Sequence, residues 1–252
     1  MEGYFIFTKA SLPVIASTKA IVLSSLKYSD SSLIVKCITR EYGAKSYLLQ
    51  GILSNKKGNV KPAYFLPFTQ LEIVANHKNQ GTLERIKEVR IAYPYQSVHT
   101  DIYKSSVIMF LSEICNHACN HEYSDIPLFD FIEKTLQNFD RSDFNANFHL
   151  KFLVELTRYL GIYPYITDDG TSLFDIEEGK MLRVDYSEQH IDGKILDFFK
   201  ELLTTDFQDL PQLKISREHR RFLLSKILNY YEWHSPGFRK SRSLEVLHSL
   251  FT

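Results

Sequence analysis

Cysteine is scarce, with three residues among 252. So low and odd a count excludes a disulfide framework and places the chain in a reducing compartment, the cytoplasm. No window of about 18 apolar residues occurs, so no transmembrane helix is predicted. The opening stretch, MEGYFIFTKASLPVIAS, carries Glu2 and no early Lys or Arg, and its apolar run at residues 4–7 is too short for a secretory leader. Residues 1–17 are therefore expected to be an N-terminal extension, a strand or an arm.

Recognisable catalytic motifs are also missing. The ten glycines are scattered, and neither G-x-x-x-x-G-K, G-x-S-x-G nor H-E-x-x-H occurs. Asp168-Asp169 and Glu177-Glu178 are acidic pairs that a divalent ion would need, but they sit in a turn without an organised third carboxylate. They read as a solvated loop rather than a nuclease centre. The segment ICNHACNHE places Cys115 and Cys119 one helical turn apart, and His117 and His121 likewise. At about 100° per residue the two pairs point about 200° apart, so one helix cannot bring them to one ion. Buried cysteines and a polar histidine face are expected there. No metal, no cofactor and no catalytic residue is assigned, and the chain is read as a non-enzyme.

Aromatic residues, by contrast, are plentiful, with 18 Phe and 15 Tyr for a core. The net charge of zero conceals a segregation. Residues 1–96 hold 13 Lys/Arg against 6 Asp/Glu, residues 97–210 hold 9 against 21, and residues 211–252 hold 8 against 3. Two basic ends flank an acidic middle, so a polyanion is drawn to the ends and repelled by the centre.

The chain is expected to be α+β. Residues 20–23, 33–39 and 46–49 are short runs of β-branched and apolar residues bounded by turn chemistry, Tyr28-Ser-Asp-Ser-Ser and Glu41-Tyr-Gly. A polar loop with Lys56, Lys57 and Lys61 follows. Residues 68–75 form a fourth strand with Leu71, Ile73 and Ala75 inward. Residues 83–92 mix both periods and are taken as the closing fifth strand. Five strands at residues 18–95 fit an oligonucleotide/oligosaccharide-binding (OB) barrel, with Pro94 marking its end. From residue 97 the period becomes helical. Helices are expected at 97–119, with Val98, Ile102, Ser105, Ile108 and Leu111 as its stripe, then at 126–139, 143–160, 193–203, 214–233 and 241–251. An irregular acidic excursion at 165–186 contains a short hairpin. Residues 96–252 thus form a helical domain.

The C-terminal block places Arg217, Arg220 and Arg221 on successive turns of one helix, and Arg239, Lys240 and Arg242 before the next. Guanidinium groups near exposed amides suit phosphate or carboxylate. A solvated basic face paired with the chain's own acidic middle is the equal alternative for Arg217–Arg221. Tyr230, Tyr231 and Trp233 are either base-stacking groups or core.

Taken together, AIVLSSLKYSDSSLIVKCITREYGAKSYLLQGI with its basic loop and PAYFLPFTQLEI, then FHLKFLVELTRYLGIYP, then FRKSRSLEVLHSL, resemble the RecO family of bacterial recombination mediators, in the same order and over nearly everything from residue 18 onward. The resemblance implies an OB-fold N-terminal domain and a helical C-terminal domain. It implies binding of single- and double-stranded DNA, annealing of complementary strands, and work with RecR in loading recombinase onto strands coated by single-strand DNA-binding protein. On that resemblance the DNA-binding positions are Lys27, Arg40, Lys45, Lys56, Lys57 and Lys61, with Arg239, Lys240 and Arg242. The acidic C-terminal tail of single-strand DNA-binding protein would dock near Phe152, Arg158 and Arg242. Many relatives carry four zinc-binding cysteines after the Leu-Gly-x-x-Pro helix. Residues 161–186 here hold no cysteine or histidine, so packing of Leu173, Phe174, Ile176 and Leu182 must hold that excursion. The alternative reading is an adaptor whose main ligands are acidic protein tails, with DNA secondary.

Overall fold

The computed structural model describes residues 14–54, 60–77, 83–167, 170–183, 189–239 and 241–250. They form two compact units: one runs to Tyr93 and includes His121–Ser124, and the other comprises Pro94–Asn120 and the chain from Asp125 on.

The first unit is an antiparallel sheet of β1 (Val14–Lys27), β2 (Leu33–Thr39), β3 (Gly43–Leu49), β4 (Gln70–His77) and β5 (Arg85–Tyr93), in the order β3-β2-β1-β4-β5. Alternation puts Ala20, Val22, Val35, Cys37, Leu71, Ile73 and Ala75 on one face, where Tyr47 and Phe65 complete the core. Leu83–Ala92, ambiguous by period, is a strand from Arg85, its apolar Val89 and Ile91 paired with Ile73 and Leu71. The first strand is far longer than expected. β1 serves two partners, pairing with β4 from Val14 and with β2 through Lys27, and a register shift between Val22 and Ser24 lets it bend. Beside that bend Phe68 takes a left-handed conformation (φ 59°) and its amide donates to the Val22 carbonyl at 2.7 Å.

The two edges of the sheet meet at one point. Tyr47 and Glu84 form a parallel bridge: the Leu48 amide donates to the Glu84 carbonyl and the Glu84 amide to the Ser46 carbonyl, both at 2.9 Å. The strands therefore curl into a partly open five-stranded barrel without a full closing ladder, the OB arrangement.

The second unit is helical: α1 (Ile102–Ala118), α2 (Ile126–Arg141), α3 (Phe148–Tyr159), α4 (Gly193–Thr204), α5 (Arg217–His234) and α6 (Leu244–Leu250). α1 starts later than predicted, because the Asp101 carboxylate accepts the amides of Tyr103 and Lys104. Ile102 is consequently exposed, and the buried stripe is Val107, Ile108, Leu111, Ile114, Cys115 and Ala118. α3 also begins later than the expected 143, at Phe148; the Asn145 side chain accepts the Asn147 amide ahead of it. The excursion is a three-stranded sheet, with β6 (Leu173–Asp175) between β7 (Lys180–Leu182) and β8 (His190–Asp192). Phe174 and Ile176 are fully buried as expected, Leu173 and Leu182 only partly, and Met181 joins them. Phe174 meets the rings of Phe199 and Tyr230. Apolar packing thus occupies the excursion.

Buried lysines and carboxylates tie the helices at their ends. The Lys104 ammonium donates to the carbonyls of Asp140 (3.1 Å) and Ser142 (2.6 Å) at the end of α2. Burial pushes the Asp140 carboxyl up, but the amides of Gln96, Ser97 and Val98 and the Ser97 hydroxyl outweigh it and hold it below its usual range. Lys151 donates to the Leu202 carbonyl (2.9 Å) and to Glu155 (2.6 Å).

Candidate nucleic-acid interface

In the barrel, strand alternation decides which cations reach solvent. Lys27, at the end of β1, is exposed, with Asp30 at 3.6 Å. Arg40 is half-buried beside Glu41 in the turn between β2 and β3. Lys61 is exposed, and its side chain makes no ion pair or hydrogen bond among the described residues. Lys56 and Lys57 lie outside the described residues.

Lys45 does not belong to an external surface. On β3 it opposes buried Cys37 and is only 7% exposed. Residues 45 and 47 share a strand face, and Tyr47 is core, so Lys45 is directed inward with it. It joins a buried polar group in which Tyr47 hydrogen-bonds His77 at 3.0 Å and Glu84 lies 3.6 Å from the same ring. Burial and the Lys45 charge push the His77 imidazole down, against the opposing pull of Glu84. In place of Lys45 the fifth strand offers two cations that motif reading passed over. Arg85 and Lys87 are both exposed and have no partner among the described residues. Their two-residue spacing on a strand was the available signal.

The turn carrying Arg40 has a further function in the fold. Gly43 has φ 67°, and a Cβ there would stand 2.3 Å from the Tyr123 carbonyl and 2.6 Å from that of His121. The segment His121–Ser124 lies against it: the Ala44 amide donates to the His121 carbonyl at 2.7 Å and the Ser124 hydroxyl to the Arg40 carbonyl at 2.8 Å. The Thr39 hydroxyl donates to the Gly43 carbonyl at 2.8 Å. The Thr-Arg-Glu-Tyr-Gly motif thus builds a tight turn that receives a second segment.

In the helical unit the three arginines of α5 separate. Arg220 is half-buried and donates to the Asn147 side chain and the Ile215 carbonyl, both at 3.1 Å, so it is a structural strut. Arg217 and Arg221 are exposed and pair with nothing among the described residues. Neither is neutralised there by the acidic middle, which favours the phosphate reading over the internal-pairing one at these two positions. They line an open groove with Glu218, Phe222, Ser225 and His248. Arg239 and Arg242 are likewise exposed and unpaired among the described residues, and Lys240 lies outside them. Between them Ser241 is buried and donates to Glu113, which also accepts the Ser243 amide at 3.2 Å. That serine pair, invisible to charge reading, anchors the start of α6 to α1.

Of the residues expected to receive an acidic tail, Phe152 is corrected. It is fully buried in α3 and meets the rings of Phe131 and Phe148, so it is a core residue and not part of an exposed docking surface. Arg158 is exposed, but its guanidinium pairs with Glu155 at 2.8 Å and covers the Tyr163 ring at 3.6 Å. The aromatic trio at the end of α5 also divides. Tyr230 and Tyr231 are core, their hydroxyls donating to the carbonyls of Ile162 and Leu153 at 2.7 Å, while Trp233 is 55% exposed.

Cys115 and Cys119 are buried thiols in and just after α1, and burial pushes Cys115 well up. Cys37 is pushed up to about 12. His121 stands outside the helix, stacked on Tyr123. Among the described residues no three His, Cys, Asp or Glu side chains gather as metal ligands. Asp168 and Asp169 lie outside the described residues. No described helix is long and apolar enough to cross a membrane.

Comparison with known proteins agrees with this anatomy. A family model described as "Recombination protein O N terminal" matches residues 14–95, and one described as "Recombination protein O C terminal" matches residues 99–243. A DNA repair protein RecO of Flavobacterium psychrophilum is 43% identical over 239 residues, spanning 93% of this chain and 98% of that protein. One from Christiangramia forsetii is 42% identical over 234 residues, with the same shares. One from Bacteroides fragilis is 32% identical over 246 residues, 94% of this chain and all of that protein.

Proposed function

The chain belongs to the RecO family of DNA repair proteins, and from that premise we propose that it is a non-enzymatic recombination mediator that binds single- and double-stranded DNA and anneals complementary strands. Its barrel and the basic loop at residues 55–61 neutralise phosphates without reading sequence. Two strands relieved of part of their mutual repulsion then pair. With RecR it helps recombinase onto strands held by single-strand DNA-binding protein, whose acidic tail the helical unit receives.

One observation carries the reading. The OB-type barrel and the start of α5 both present cations with no protein counter-ion among the described residues: Lys61, Arg85, Lys87, Arg217 and Arg221. Unpaired guanidinium and ammonium groups are ready for phosphate, since no internal ion pair has to break first.

Replacing Lys56, Lys57 and Lys61 together by Ala tests it. Annealing of complementary oligonucleotides is expected to slow severalfold while the melting temperature is unchanged, because the loop contributes one apolar residue and Lys61 is exposed. Annealing at the parent rate would remove the loop from the mechanism.

A further inference from the structure

The solvent face of α5 combines two features found together nowhere else among the described residues: unpaired guanidinium groups and exposed aromatic rings on one helical stripe. At about 100° per residue, Arg217, Arg221, Ser225, Phe222 and Trp233 fall within about half the helix circumference. Phe222 is 50% exposed and Trp233 55%. They lie eleven residues apart, hence about 20° apart around the axis and about 16 Å along it. The opposite face of the helix is core, with Leu223, Leu224, Ile227, Leu228, Tyr230 and Tyr231 buried. Keeping two large rings in water next to six well-buried neighbours is not a packing solution, since the helix already has its apolar stripe.

The surroundings define the ligand. Arg217 and Arg221, one turn apart on α5, both line the groove. The Lys226 ammonium lies 5.4 Å from the Phe222 ring centre. Their positive charge is felt nearby: Arg221, after burial, lowers the His248 imidazole, and Arg217, after burial, lowers Arg220. The Nε2 of His248, on the groove wall, is buried without a hydrogen-bond partner. Glu218 and Glu232 are the acids on the exposed side of α5, outnumbered by Arg217, Arg221 and Lys226. The groove is shallow and open. An aromatic anchor of a peptide needs a deep, desolvated pocket, whereas a base needs only a flat ring and a cation for its phosphate.

We propose that the exposed face of α5 is a stacking track for single-stranded nucleic acid, in which bases lie on Phe222 and Trp233 and phosphates are held by Arg217 and Arg221. This site rests on the DNA-binding reading above and adds to it a second, base-contacting surface in the helical unit, separate from the basic loop of the barrel.

Trp233 is the sole tryptophan of the chain, so it reports on the track directly. The full-length protein is titrated with an oligothymidylate, following intrinsic fluorescence and, in parallel, the anisotropy of a labelled strand. Quenching of Trp233 that saturates with the anisotropy change is expected. An abasic strand of equal length should bind with little quenching. Phe222→Ala should weaken oligothymidylate binding about tenfold, and Phe222→Tyr should restore it. Removing both Arg217 and Arg221 (to Ala) should lower the salt slope by about 1.4. Anisotropy-detected binding with unchanged Trp233 emission, or with unchanged affinity in Phe222→Ala, would overturn the track while leaving DNA binding through the barrel intact. Absence of DNA binding by the parent protein would overturn both readings. Quenching by an acidic peptide alone, lost in Phe222→Ala, would overturn the track in favour of a protein ligand.

Discussion

His149 is held far from its ordinary chemistry. It is fully enclosed in α3, edge-on to Phe110, and burial followed by the charges of Arg220 and His248 pushes its imidazole down to about 3. The unfolded chain takes up that proton near 6.5 and the folded chain only near 3. Between those values the unfolded state binds more protons, so His149 contributes stability that is complete above 6.5 and lost as pH falls through the window, at up to about 1.4 kcal/mol per pH unit. His149→Leu is expected to shrink the difference in melting temperature between pH 7 and pH 5. An undiminished difference would assign the acid sensitivity elsewhere, for instance to His77. Lys45 gives the matching lesson about reading a charge from sequence. It looks like a ligand contact because it follows a motif glycine, yet strand period two places it beside Tyr47 in the interior. The same rule, applied to the fifth strand, brings Arg85 and Lys87 to the surface instead.

Among the elements, those legible in the sequence were the ones with strong period or firm punctuation. β2 coincides with its expected limits because Leu33, Val35 and Cys37 alternate cleanly between turns. β1 was read from residue 20 because its earlier inward positions, Ala16 and Thr18, are small or polar and carry little hydrophobic signal. β8 is three residues long and shows no period at all. The contribution of His121–Ser124 to the barrel unit was equally hidden, since it depends on carbonyls and not on side-chain type. That contribution makes the turn at Gly43 a sensitive point. Gly43→Ala would meet carbonyl oxygens of Tyr123 and His121 and force a left-handed conformation on a residue with a Cβ. A loss of more than about 2 kcal/mol in denaturant unfolding is expected. A loss below about 1 kcal/mol would mean that the facing segment yields easily.

For the whole molecule, zero net charge is a poor guide to its ligands. The basic blocks at residues 1–96 and 211–252 supply Lys61, Arg85, Lys87, Arg217 and Arg221, whose side chains have no ion-pair partner among the described residues, while many cations of the middle are consumed in the fold, as Lys104 and Lys151 show. If about four to six phosphates are neutralised, the logarithm of single-strand affinity should fall with the logarithm of salt with a slope of about −3 to −4. Binding measured from low to high salt checks this, and a flat dependence would exclude an electrostatic interface. Charge segregation was readable from composition alone. Which cations are free was not, because it turns on strand phase and on helix-end carbonyls far away in the chain.

The loan of His121–Ser124 to the barrel has a practical corollary for dissecting the molecule. A fragment stopped at Tyr93 would contain all five strands, yet the Ala44 amide would lose its acceptor and Gly43 would face water. The remainder, from Pro94 on, would keep α1 and α2 joined but would carry away the segment that the barrel borrows. The two units are interleaved along the polypeptide, so no cut at a single point leaves both with all their parts.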